Sequence, residues 1–171
     1  MDALERLIAK DEIRDLAHRY GIAMDARDLD SLVELFVDDV RVGRERSGHQ
    51  ALRADFDRQL RAIGISILFV GNHVIDFDDD QHARGIVYCK AEIQDGERFI
   101  SQAIEYQDQY ERRDGHWYFV RRKHLLFYGR EQGENPLKLR PANWPENHSG
   151  RGTLPESKKS WQRFWGDSSE D

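Results

Sequence analysis

A chain of 171 residues with 39% hydrophobic content is long enough for one domain with a sizeable core and too short for two comfortable ones. Charged residues make up 34% of it and the formal net charge is −6, with both signs mixed along almost every segment, which excludes the concentrated basic face of a nucleic-acid binder. The single cysteine, Cys89, excludes an internal disulfide and a Cys-built zinc site. No apolar run reaches the ~18 residues of a membrane span, and the acidic opening MDALERLIAKDE does not read as a signal peptide, so a cytoplasmic protein is expected.

From Leu4 to Met24, apolar residues recur at three- and four-residue steps, the period of an amphipathic helix, and Asp2 with Glu5 fits a capping box at its start. A shorter helix is expected from about Ser31, capped by Ser31 and Glu34 and ended by Asp38-Asp39. Val40 to Arg46 reads as a short strand, and a third helix spans roughly Gln50 to Ile63 with Leu52, Phe56, Leu60 and Ile63 on one side. After Gly64 the period changes to two. Four strands are expected near 65–77, 82–93, 97–112 and 116–128, with Asp95-Gly96 and Asp114-Gly115 as hairpin turns. Three helices followed by an antiparallel meander make an α+β domain over residues 1–128. Residues 129–171 hold Pro136, Pro141, Pro145 and Pro155 and read as an extended tail. Its aromatic residues Trp144, Trp161, Phe164 and Trp165 require burial, either on the domain or, as the reach of the tail favours, on a neighbouring subunit.

This order of elements, with the stretches IRDLAHRYGIAMDARDLDSLVELFVDDV, GNHVIDFD and YERRDGHWYFVRRKH, resembles the nuclear-transport-factor-two-like superfamily, and within it the SnoaL-like group. That group includes scytalone dehydratase, ketosteroid isomerase, polyketide cyclases and hexachlorocyclohexane dehydrochlorinase. The resemblance implies a cone in which helices pack on a strongly curved, mainly antiparallel sheet around a pocket. It also implies a dimer or trimer and chemistry without a metal or cofactor. In several relatives an aspartate at the end of the first helix pairs with a strand histidine as a base dyad. Asp25 matches that aspartate and Tyr20 a pocket-facing position, but the histidine position falls on Leu68 or Phe69, neither of which accepts a proton.

Strand alternation puts Ser66, Leu68, Val70 and Asn72 on one face and Ile67, Phe69, Gly71 and His73 on the other, and the resemblance turns the first set to the pocket. The matching faces of the later strands carry Cys89, then Gln102, then Arg122, His124 and Leu126, and Arg44 is placed to reach in from the short strand. His124, the only histidine that parity puts inside, is the candidate base, with Asp25 to fix its tautomer and Tyr20 to donate a proton. Arg122, if buried, needs a carboxylate partner, for which Asp25 or the substrate is available. Cys89 reads as a small core residue rather than a nucleophile. The expected ligand is a small, largely apolar, ring-bearing molecule, and the expected activity a cofactor-independent lyase of the dehydratase type. An isomerase, a cyclase, or a non-catalytic binding subunit like the β-subunit of ring-hydroxylating dioxygenases stands as the alternative. Ile67, Phe69, Ile75 and Phe77 are expected to form an outer apolar row through which copies associate.

Overall fold

The computed structural model describes residues 1–166. Helix α1 (Ala3–Ala26) starts at the Asp2/Glu5 capping box, in which the Glu5 N–H donates to Asp2 at 2.8 Å and the Asp2 N–H to Glu5 at 2.7 Å. Its buried stripe is Ala9, Ile13, Leu16, Ala17, Tyr20 and Ala23. Leu4, Leu7 and Ile8 stay exposed, although they share the three- and four-residue spacing. At 3.6 residues per turn Leu4 lies half a turn round from Ile13, so the period is right and the face is not. Helix α2 (Leu29–Val33) is capped by Asp28, three residues before Ser31, because the Asp28 carboxylate accepts from the Ser31 N–H at 3.2 Å. The expected single strand after it is a two-stranded ribbon, β1 (Arg41–Val42) with β2 (Arg46–Ser47), and α3 follows at His49–Arg61.

The main sheet is an antiparallel meander of β3 (Ser66–Phe77), β4 (His82–Asp95), β5 (Arg98–Arg113) and β6 (His116–Glu131), in that order. Its hairpins close where the two Asp-Gly pairs stand, with Gly96, Asp114 and Gly115 all at positive φ. Helices α1, α2 and α3 cover one face and share one core with it, built on Ile13, Leu32, Leu60, Val87 and Phe119. The segment after α2 is stitched to β6, with the Phe119 N–H donating to the Leu35 carbonyl at 2.9 Å and the Val37 N–H to the Phe119 carbonyl at 3.0 Å. Among the described residues no helix is long and apolar enough to cross a membrane.

One irregularity reorders the inner face. The β3–β4 register shifts between Val70 and His73, where Gly71 and Asn72 form a bulge. Ser66, Leu68 and Val70 turn inward as alternation requires. After the extra residue the inward set is His73, Ile75 and Phe77, and Asn72 is exposed. The outer apolar surface is therefore not the row expected. It consists of Ile67, Phe69, Val74, Ile86, Tyr88 and Phe127, while Ile75 is buried in the core.

The tail continues from β6 through a 3-10 turn at Pro136–Lys138 to α4 (Lys159–Gly166). Trp161 and Phe164 are buried on this chain's own domain, where Arg27 and Arg61 present guanidinium faces to them. Trp144 remains 74% exposed, its ring lying 5.2 Å from that of His148.

Candidate active site

Between the helices and the inner face of the sheet lies a cavity of about 1150 Å³, bounded by Tyr20 and Met24 of α1, Phe56 and Leu60 of α3, and inward residues of all four strands. Arg41, Arg113 and Arg121 also line it. Apolar and aromatic side chains make up the larger part of the lining, with Ser66, Gln102, Arg122 and His124 among its polar groups, a composition that suits a small-molecule site.

Arg122 forms the base of the polar wall. Its side chain is 4% exposed and pairs in two-pronged fashion with the wholly buried Asp108, Nε to Oδ1 at 2.9 Å and Nη2 to Oδ2 at 2.6 Å. Burial opposes the charge, yet the bonds to Asp108 outweigh it and hold the guanidinium protonated. Three rings press on its faces, Tyr106 at 4.3 Å and Tyr20 and Phe119 at 4.4 Å. Asp108 also accepts from the Tyr110 hydroxyl at 2.8 Å, and that hydroxyl is 3.0 Å from His73 Nε2. Burial pushes His73 down to about 4, so the ring is neutral here. Among the described residues Arg122 Nη1 is buried without a partner.

Above this base stand Tyr20, Tyr106 and His124. Burial raises both phenols, Tyr20 to about 12, despite the opposing pull of Arg122, so both are proton donors at neutral pH. Among the described residues neither phenol oxygen is tied into a hydrogen bond. The His124 ring lies 5.5 Å from that of Tyr106, and partial burial lowers its basicity, which leaves the imidazole unprotonated near pH 7.

Of the residues singled out from the sequence, Tyr20, Leu68, Gln102, Arg122 and His124 line this cavity. Asp25 stands behind the wall. Its Oδ1 accepts from Ser66 Oγ at 3.0 Å and its Oδ2 from the Leu68 N–H at 2.9 Å, so it touches neither His124 nor Arg122. Burial lifts its carboxyl to about 6. Cys89 is buried beside the cavity without lining it, and burial pushes its thiol up to about 11. Asn72 is turned out by the bulge. Arg44 sits exposed in the β1–β2 turn, offering only its carbonyl to Arg41 at 3.3 Å. Leu126 pairs with buried Ile104 but is 52% exposed on the edge strand and does not line the cavity.

The carboxylate that Arg122 requires is Asp108, which sequence reasoning passed over. Alternation from Gln102 and Ile104 carries inward through Tyr106, Asp108 and Tyr110, so its side was legible. A simple hairpin count from Arg113 opposite His116 sets Asp108 against Arg121. A register shift between Gln109 and Tyr110 leaves Val120 as the extra residue and brings Arg122 opposite instead.

Several solved structures share this architecture. LinA is 25% identical over 79% of this chain and 97% of its own, with a TM-score of 0.71. The hexachlorocyclohexane dehydrochlorinase LinA-type3 from Novosphingobium barchaimii LL02 is 23% identical over 78% and 97%, with a TM-score of 0.70. A protein from Novosphingobium aromaticivorans DSM 12444, provisionally designated a scytalone dehydratase, is 18% identical over 78% and 94%, with a TM-score of 0.67. No curated protein sequence matches the chain. The family model described as a SnoaL-like domain matches residues 5–123, well over half of the chain, and the protein therefore belongs to the SnoaL-like family.

Proposed function

We propose that the protein is a cofactor-independent lyase that removes a proton and a neighbouring leaving group from a largely apolar, ring-bearing substrate. The observation that carries this reading is the grouping, on one wall of an apolar cavity, of a neutral imidazole at His124 and two protonated phenols at Tyr20 and Tyr106, backed by the fixed cation of Arg122. His124 takes the proton from carbon, the C–H electron pair forms the new double bond, and the leaving group departs with its own pair. A phenol protonates a departing hydroxyl or steadies a departing anion, and Arg122 supports the charge that develops there. Two structural neighbours carry names that denote eliminations, a dehydrochlorinase and a dehydratase, which supports the same class.

A panel of cyclic β-hydroxy ketones and chlorinated cyclohexanes, incubated in D₂O and followed by NMR, tests it. Turnover should fall by about 10²-fold or more in His124→Gln, the scale of general base catalysis. Turnover unchanged by that substitution would refute the assignment. One observation favours a second reading: both oxygens of Asp25 are engaged by Ser66 and the Leu68 N–H and neither bond reaches His124, so the carboxylate does not orient that base. A binding subunit built this way would be stabilised by the same ligands and would exchange no proton with D₂O. An isomerase or cyclase would instead incorporate deuterium without releasing water or chloride.

We also propose that copies associate through the outer sheet face, where Phe69, Val74, Ile86, Tyr88 and Phe127 form one exposed apolar surface.

A further inference from the structure

Arg27 is one of the most deeply buried side chains of the molecule, at 2% exposure, and it caps α1 in the left-handed conformation at φ 56°. Among the described residues it has no carboxylate in direct contact. Nη1 donates to the Met24 carbonyl at 2.6 Å and to Ser66 Oγ at 2.9 Å, Nη2 donates to the Gly64 carbonyl, and Nε is buried without a partner among the described residues. Asp25 is reached only through Ser66. Burying a cation in this way is costly, and burial pulls its basicity down to about 10. One side of the enclosure is the indole of Trp161, 4.9 Å from the guanidinium carbon, on a helix that lies beyond residue 123, where the family match ends. That helix is moored by Ser160, which donates to the Ala26 carbonyl at 2.8 Å, and by Phe164 against Arg61 at 4.4 Å.

We propose that Trp161 and Arg27 are positioning residues: the docked C-terminal helix holds the Arg27 guanidinium against Ser66, and this fixes Ser66 in the wall of the cavity and Asp25 behind it. A serine hydroxyl has one hydrogen to give. With Arg27 donating into its lone pair, Ser66 gives that hydrogen to Asp25 Oδ1 and offers no donor to the cavity that it lines. Asp25 is then held to accept the N–H of Leu68, one of the two β3 positions, with Phe69, where the resemblance expects a histidine. Undocking the helix admits water to Arg27, frees the Ser66 hydroxyl to turn into the cavity, and hydrates Asp25. The groups that face Asp25 are Arg27 on its own helix, Lys158 ahead of α4, Ser66 and the Leu68 N–H on β3, and Cys89 on β4.

The test is a ¹³C-carboxyl NMR titration of Asp25 in the whole protein, alongside hydrogen exchange of the Leu68 amide, in wild type, Trp161→Ala, Trp161→Leu and Trp161→Phe. Wild type should titrate near 6. Loss of the flat ring should lower the midpoint by about a unit or more, toward the ordinary carboxylate range, and speed Leu68 exchange at least about tenfold. Trp161→Phe, which keeps a ring face over the cation, should restore both. The leucine variant keeps apolar bulk, so the question is answered even if the alanine variant does not fold. An unchanged Asp25 midpoint and unchanged Leu68 protection in either ring-deleted variant would overturn the proposal. Neither readout uses a substrate, so failure here and failure of the elimination reading are separate results.

Discussion

Replacing Asp108 by asparagine keeps the shape of the Arg122 partner and removes its charge. In the native protein that carboxylate is fully buried, receives two guanidinium bonds at 2.9 and 2.6 Å and takes the Tyr110 hydroxyl at 2.8 Å. Asparagine accepts through one oxygen only, so in either orientation its amide N–H₂ is turned against one of the two guanidinium donors. Arg122, with its side chain 4% exposed and three aromatic rings on its faces, has little water to replace the lost carboxylate. Breaking a buried pair by removing one partner costs about 3–5 kcal/mol. For a chain of this length each kcal/mol is worth about 2–4 °C, so the expected loss is roughly 6–20 °C in melting temperature. The double variant Arg122→Met/Asp108→Leu removes both charges together, leaves Tyr110 and His73 bonded to each other, and should melt above Asp108→Asn. Circular dichroism melts of the three proteins at one pH decide the matter. A loss under about 3 °C for Asp108→Asn, or a double variant no more stable than the single one, would show that the pair is not the isolated buried ion pair described here.

The pH dependence of turnover should report His124. Its basicity is lowered by burial and the neutral form is the competent one, so activity should rise with pH to a plateau whose midpoint lies below the ordinary histidine value of ~6.5, a limb that His124→Gln should abolish. Gly85→Ala should destabilise the protein by about 1–3 kcal/mol, measured by urea unfolding. The new Cβ would stand 2.8 Å from the Tyr110 hydroxyl and 3.0 Å from His73 Nε2, and Tyr110 is only 1% exposed and has nowhere to move; a variant as stable as wild type would contradict that packing. Light scattering at micromolar concentration should find a species larger than the 20.1 kDa chain, and Phe69→Lys with Tyr88→Lys should dissociate it. A monomer in the wild type would reject self-association through the outer face.

Much of the architecture is written in local chemistry. The capping box of Asp2 and Glu5, the change of period after Gly64 and the two Asp-Gly turns act within a few residues, so they can be read from the sequence and they stand where expected in the structure. The place of His124, Gln102 and Leu68 on the cavity wall also follows from alternation joined to the family resemblance. Alternation, however, carries any error forward: one extra residue inverts every side chain after it. The bulge at Gly71 and Asn72 exposed Asn72 and brought His73, Ile75 and Phe77 inside, and the glycine in mid-strand was the only local sign of it. The extra residue at Val120 gave Arg122, rather than Arg121, to Asp108. Asp25 ended on the Leu68 amide rather than on His124, and Trp161 found Arg27 across more than 130 residues of chain. Sequence by itself determined the main helices and strands and part of the cavity wall, because capping, turn and periodicity energies are local. Tertiary structure alone decided which charges meet, because a buried ion pair or a covered guanidinium depends on where distant strands absorb an extra residue and where a tail comes to rest.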